Sequence, residues 1–94
     1  MAKIEGKVVA IEPSGNLRTD IAADRLRGVP SDDSVKVCCD EHETTGLFSE
    51  DHGQPAMTLL ALVGKSGFLE LCIVGDSAAI MLGVRVGEGV VVVW

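Results

Sequence analysis

The sequence has 94 residues, 47% hydrophobic and 23% charged, and carries a formal net charge of −6. That length makes one domain, residues 1–94, with a mainly aliphatic core, because Phe48, Phe68 and Trp94 are the only aromatic residues. The acidic balance excludes a nucleic-acid backbone or an anionic membrane surface as partner, since both require a surplus of Lys and Arg.

The opening "MAKIEGKVV" has no apolar signal core, and no apolar run approaches the roughly 20 residues of a membrane helix. Cys38, Cys39 and Cys72 are odd in number and irregular in spacing, which predicts reduced thiols in a cytoplasmic protein. Ile4, Gly6, Val8 and Ala10 alternate with Lys3, Glu5 and Lys7, the pattern of a half-buried first strand. Pro13-Ser14-Gly15-Asn16 makes a turn, and Leu17–Ile21 reads as a second strand. Residues 22–27 suit one or two helical turns, with Asp20 as cap and Gly28 and Pro30 as stops.

Further on, Val35, Val37 and Cys39 share one strand face, and Thr44 to Phe48 continues as another strand. "SEDHGQPA" is a polar loop. "MTLLALVG" is apolar on both faces, which predicts either a barrel packed on something or a subunit interface. After the "GKSG" turn, "FLELCIV" places Leu69, Leu71 and Ile73 on one face and Phe68, Glu70, Cys72 and Val74 on the other. In "GDSAAIMLG", Asp76 or Ser77 caps a short helix that Gly83 ends in the left-handed conformation. "VVVVW" is the last strand. Short strands with turns every 8–12 residues or so predict an all-β barrel or sandwich with two short helices as plugs or crossovers.

Few residues point to chemistry. "CCDEHE" is dense in donors, but adjacent donors on a strand diverge, so a solvated acidic turn outweighs a metal site. No local signature marks a cysteine nucleophile, and the scattered aspartates offer no acid–base pair. Gly15-Asn16-Leu17 and Gly64-Lys65-Ser66-Gly67 are glycine-flanked polar turns beside apolar strands. Glycine lets a backbone come close to a ligand, and Asn presents both a donor and an acceptor, which suits the edge of a heterocycle such as adenine. The same residues also serve plain turn chemistry.

Three segments in this order and spacing, "GNLRTDI", "VGKSGFLELCIVGDSAAIMLG" and "VRVGEGVVVV", resemble the C-terminal domain of the S-adenosylmethionine hydroxide adenosyltransferase family, relatives of the fluorinase and chlorinase. The resemblance covers nearly all of the chain. It implies a small Greek-key-like closed β-barrel with one or two short helices, assembled as a homo-oligomer, a trimer in the family. It also implies an adenosine site between subunits, with Asn16, Ser66, Gly67 and Ala78 as contacts and Phe48 as the stacking ring. Adenosine or S-adenosylmethionine is the implied ligand, and no cofactor is required. The family's N-terminal domain, which holds the catalytic residues, has no counterpart in this sequence. The expectation is therefore a stand-alone, non-catalytic nucleoside-binding domain, with catalysis returning only if a separate chain supplies the missing domain. Asp20 stands where the family has an asparagine, and the serine-rich turn is reduced to Gly64–Gly67. Both departures favour the other reading, a structural or assembly module that has lost the ligand.

Overall fold

The alternation in "KIEGKVVAI" forms strand β1 (Lys3–Ile11) in the computed structural model, which describes residues 2–94. Val8 is buried, and Lys3, Glu5 and Lys7 are exposed. The alternation does not run to the end of the strand. Val8 stands opposite Thr19 of β2 (Leu17–Ala22), but Ala10 stands opposite Arg18, so a bulge lies between Val8 and Ala10. Residues directly opposite share a face, so Ala10 falls on the outer face with Arg18, not on the inner face with Val8 as the simple alternation predicts. The bulge also turns the chain toward Glu12 outward. The β1–β2 turn is closed by Glu12 N donating to Asn16 O at 2.9 Å and Gly15 N donating to Glu12 O at 2.8 Å.

A single 3-10 turn, Ala23–Leu26, follows β2. It has no side-chain cap. Asp20, the expected cap, accepts from the Lys7 backbone N–H at 2.9 Å and so ties β2 to β1. Strands β3 (Lys36–Cys39) and β4 (His42–Thr45) form a hairpin through Asp40-Glu41, with Asp40 at φ 56°. The expected continuous strand over residues 44–48 breaks at Gly46, whose φ of 86° is incompatible with a β ladder, so Leu47–Phe48 forms a separate short strand, β5. Strands β6 (Leu59–Val63) and β7 (Phe68–Ile73) follow. Helix α1 (Ala78–Leu82) starts at Ser77, whose Oγ accepts from Ile80 N at 3.3 Å, and ends at Gly83 with φ 67°, as expected. The last strand is β8 (Gly89–Val93).

The eight strands found among the described residues make one sheet, in the order β4-β3-β8-β1-β2-β7-β6-β5. The last strand is thus inserted between β3 and β1. The sheet curls until its edges nearly meet. Thr44 Oγ1 of β4 donates to Leu59 O of β6 at 2.9 Å across the seam, and β5 pairs in parallel with β6. The fold is therefore an all-β barrel, nearly closed, with Val8, Leu17, Ile21, Val35, Leu69 and Val92 among its buried core.

Both faces of β6 are buried, but the cover comes from this chain. Ala61 belongs to the barrel core, and Leu60 and Leu62 on the other face are 0% and 5% exposed. The crossover from β5 to β6 lies against that side of the barrel. Met57 N donates to Val74 O at 2.8 Å, Val74 N to Thr58 O at 3.0 Å, and Lys65 N to Glu50 Oε2 at 3.2 Å.

Candidate functional site

Register places one row of residues across the outer face of the barrel. Phe48 pairs with Leu62, Leu62 with Glu70, Glu70 with Arg18, and Arg18 with Ala10. Glu70 sits in the middle of this row and is 5% exposed. A carboxylate taken out of water must be hydrogen-bonded, and this one is. Asn16 Nδ2 donates to its Oε1 at 3.1 Å, and Ser66 Oγ donates to its Oε2 at 2.6 Å. Glu12, brought to this face by the β1 bulge, lies near enough for the two carboxyls to shift each other's acidity.

The two carboxyls are driven apart in acidity. For Glu12, the hydrogen bond to Glu70 requires Glu12 to keep its proton; burial and the negative charge of Glu70 act in the same direction, so its pKa is raised. For Glu70, burial opposes ionisation, but hydrogen bonds from Ser66, Glu12 and Asn16 outweigh it and hold the carboxyl below its ordinary value. The Arg18 guanidinium, 3.8 Å from Glu12, favours the charged form of both. Sequence reasoning missed this pair because Glu12 and Glu70 lie far apart in the chain. The available signal was Glu70 itself, an ionisable residue inside the apolar strand "FLELCIV".

The signs give a pH test. Glu12 contributes stability that is full below the ordinary carboxyl value of 4.5 and is lost as pH rises through its raised value. Glu70 contributes stability that is present above 4.5 and is lost as pH falls through its lowered value. Glu12→Gln supplies a permanent donor to Glu70. It is expected to stabilise the protein at pH 7 by about 0.5–1.5 kcal/mol, the net worth of one hydrogen bond. The ion pair lost to Arg18 is partly exposed and offsets little of this. The gain should vanish near pH 4, where the wild-type Glu12 is itself protonated. Urea denaturation at both pH values measures it, and an equal gain at pH 4 and pH 7 would contradict the shared proton.

Beside this row lies a cavity of about 500 Å³, open to solvent and lined by Ser14, Asn16, Cys72, Ile73, Gly75, Asp76 and Ser77. The volume suits a small organic ligand. Its walls are the β1–β2 turn, the end of β7 and the start of α1. Gly15 holds the first and last together. Its φ is 92°, a Cβ there would lie 2.6 Å from Ser77 Cα, and Ala79 N donates to Gly15 O at 3.0 Å. Burial and the neighbouring Glu70 raise the pKa of Cys72. Burial, with Glu88 and Asp40 adding, pushes Cys39 up to about 11. Cys39 is therefore a protonated packing residue at neutral pH.

The sequence-derived site residues are not all brought together. Asn16 lines the cavity. Ser66 does not, but it reaches Asn16 through Glu70. Gly67, at φ 78°, lies beside Ser66 in the β6–β7 turn. Phe48 is half-buried in the same outer row as Glu70, two strands away, roughly 10 Å across the sheet. Ala78 is wholly buried in the core, while the adjacent Asp76 and Ser77 face the cavity. His42 places its Nε2 3.0 Å from Leu82 O at the end of α1. Among the described residues, no three His, Cys, Asp or Glu side chains gather as a metal site, and no helix is long and apolar enough to cross a membrane.

The family model for the SAM hydroxide adenosyltransferase C-terminal domain matches residues 6–91. Among solved structures, the chain is similar to an uncharacterized conserved protein from Thermotoga maritima, with a TM-score of 0.82 and 24% identity, over 98% of this chain and 36% of that one. It is also similar to a conserved hypothetical protein from Thermus thermophilus, with a TM-score of 0.72 and 23% identity, over 95% of this chain and 34% of that one. The chain thus spans about a third of the length of either protein. No curated protein matches it.

Proposed function

Because the chain belongs to the SAM hydroxide adenosyltransferase C-terminal domain family, we propose that it binds a nucleoside, adenosine or the adenosyl part of S-adenosylmethionine, in the cavity beside Asn16. In this reading it takes no part in the chemistry and supplies one wall of a site whose other wall comes from a neighbouring subunit or a separate catalytic chain. The observation that carries the reading is the cavity itself, with the Asn16 amide on its wall and already engaged by Glu70. Asp76 and Ser77 add polar groups to the same lining. Ser66 acts through Glu70 in this reading, Gly67 shapes its turn, Ala78 carries the start of α1, and Phe48 offers a ring along the same outer face.

Calorimetric titration with adenosine and with S-adenosylmethionine tests this. Saturable binding that Asn16→Ala weakens by about 1–3 kcal/mol supports it. No heat up to millimolar ligand would sink it for this chain.

A second reading, an assembly module, is favoured by the apolar surface of α1 and the turn before β8. Ile80, Met81 and Val86 are 80%, 49% and 57% exposed. Ile80 and Met81 are neighbours on α1, and large apolar groups exposed side by side favour an interaction surface. Under this reading the chain is a homo-oligomer, a trimer by family likeness, with no nucleoside bound. Mass in solution, measured on the titrated sample, separates the readings: an oligomer without binding leaves assembly as the function.

A further inference from the structure

We propose that the barrel carries a second binding site, at the far end of β1 from the cavity beside Asn16, and that it takes a small carboxylate with an apolar body.

A second cavity, of about 390 Å³ and open to solvent, is lined by Ser34, Lys36, Val93 and Trp94. Its volume falls in the range of small-molecule sites. Register fixes where it lies. Lys36 of β3 and Lys3 of β1 both stand opposite Val93 of β8, and directly opposite residues share a face. Val92 is wholly buried in the core, so Val93 and the two lysines lie on the outer face. The row reads cation, apolar, cation, in a chain whose net charge is −6. Asn16 lies past the other end of β1, where Ile11 pairs with Leu17. The length of β1, roughly 25 Å, separates the two cavities.

Trp94 closes one side. Ala2 N donates to Trp94 O at 2.9 Å and Trp94 N to Ala2 O at 3.0 Å, which holds its backbone on the sheet. Its ring is half-buried against the core and leaves part of its surface to the cavity. Among the described residues of the lining, Lys36 alone is charged. Its ammonium is free to engage a ligand. Glu43 lies 3.7 Å from it, with the two side chains 48% and 62% exposed, and such a pair contributes little. Ser34 Oγ donates to Asp32, which leaves Lys36 as the donor for an anion. Asp32 itself is exposed, and water and salt screen its charge.

The ligand class follows from these groups. Val93 and the indole offer apolar surface to bury. Lys36 attracts a carboxylate at the edge of that surface, does little for a neutral molecule and repels a cation. The cavity beside Asn16 has the opposite bias, because Asp76 is the charged residue of its lining.

Trp94 is the only tryptophan, so its fluorescence reports the site directly. Titration with phenylacetate is expected to give a saturable change in the millimolar range, with phenylacetamide at least about fivefold weaker. Lys36→Gln should bring the two ligands within about twofold of each other. Lys36 is exposed, so this substitution leaves the core intact. Arg85→Gln removes the same charge from the turn before β8 and should leave the ratio unchanged. Backbone amide and indole N–H resonances locate the ligand: phenylacetate should shift those of Lys36, Val93 and Trp94 and not those of Asn16 and Ser77.

No saturable change at phenylacetate concentrations well above the millimolar range would overturn the site. Equal binding of the two ligands by the wild type, or a preference that survives in Lys36→Gln, would overturn the role of Lys36 and with it the carboxylate class. Shifts centred on Asn16 and Ser77 would assign the acid to the other cavity and overturn the proposal. None of these outcomes depends on whether a nucleoside binds.

Discussion

Replacing Gly15 with alanine is expected to destabilise the protein by about 2–5 kcal/mol and to abolish the cavity beside Asn16. Two effects add. The first is conformational: Gly15 has φ 92°, and a side chain in the left-handed half of the map is strained by about 1–2 kcal/mol. The second is steric. The new Cβ would meet Ser77 Oγ, with Ser77 Cβ at 2.5 Å and Ser77 Cα at 2.6 Å. The hydroxyl could rotate away, but the Cα cannot move without shifting the start of α1. Overpacking of this kind adds about 1–3 kcal/mol. Relief would also break the 3.0 Å bond from Ala79 N to Gly15 O. Gly67→Ala is the control. Gly67 has a similar φ of 78°, but nothing lies within 4 Å of its Cβ, so only the strain applies. Urea denaturation of the two variants should show Gly15→Ala to be clearly the worse. Equal losses would mean that the contact between the turn and α1 yields freely.

The same turn shows how far the sequence could be read. "PSGN" announced a turn, and glycine beside asparagine raised the question of a close approach. What approaches Gly15 is Ser77, far along the chain, and no local pattern encodes that. Alternation placed β1 correctly as far as Val8 but put Ala10 on the wrong face, because a bulge leaves no mark in a hydrophobic pattern. The two apolar faces of "MTLLALVG" correctly signalled burial on both sides. The sequence could not say that the covering segment is the polar loop just before it. Asp20 looked like a helix cap because it precedes a helical stretch, yet it bonds to Lys7 on the neighbouring strand. Contacts between near neighbours in the chain were legible. Those made by register, bulge and crossover, Glu12 with Glu70 above all, depend on the closed sheet and were not.

Thr19→Val is expected to cost about 2–4 kcal/mol, more than Thr19→Ser, although valine keeps the shape of the side chain and serine does not. Thr19 is wholly buried. Its Oγ1 donates to Leu69 O at 2.7 Å and accepts from Ile21 N at 3.2 Å. The reason lies in the β2–β7 ladder. Arg18 pairs with Glu70 and Ala22 with Phe68, so the step from one pair to the next takes four residues on β2 and two on β7. The ladder is broken between those pairs, and the hydroxyl bridges the break. Valine leaves a buried carbonyl and a buried N–H without partners, each at about 1–3 kcal/mol. Serine keeps both bonds and loses one methyl group, about 1 kcal/mol of burial. Burial alone predicts the opposite order, so the ranking of the two variants in urea denaturation decides between hydrogen bonding and packing. Hydrogen exchange at the Ile21 amide gives a local check: its protection should fall in Thr19→Val and persist in Thr19→Ser. If valine proved the milder change, the irregular pairing of β2 with β7 would have to be held by packing of Leu17, Ile21 and Leu69 rather than by this hydroxyl.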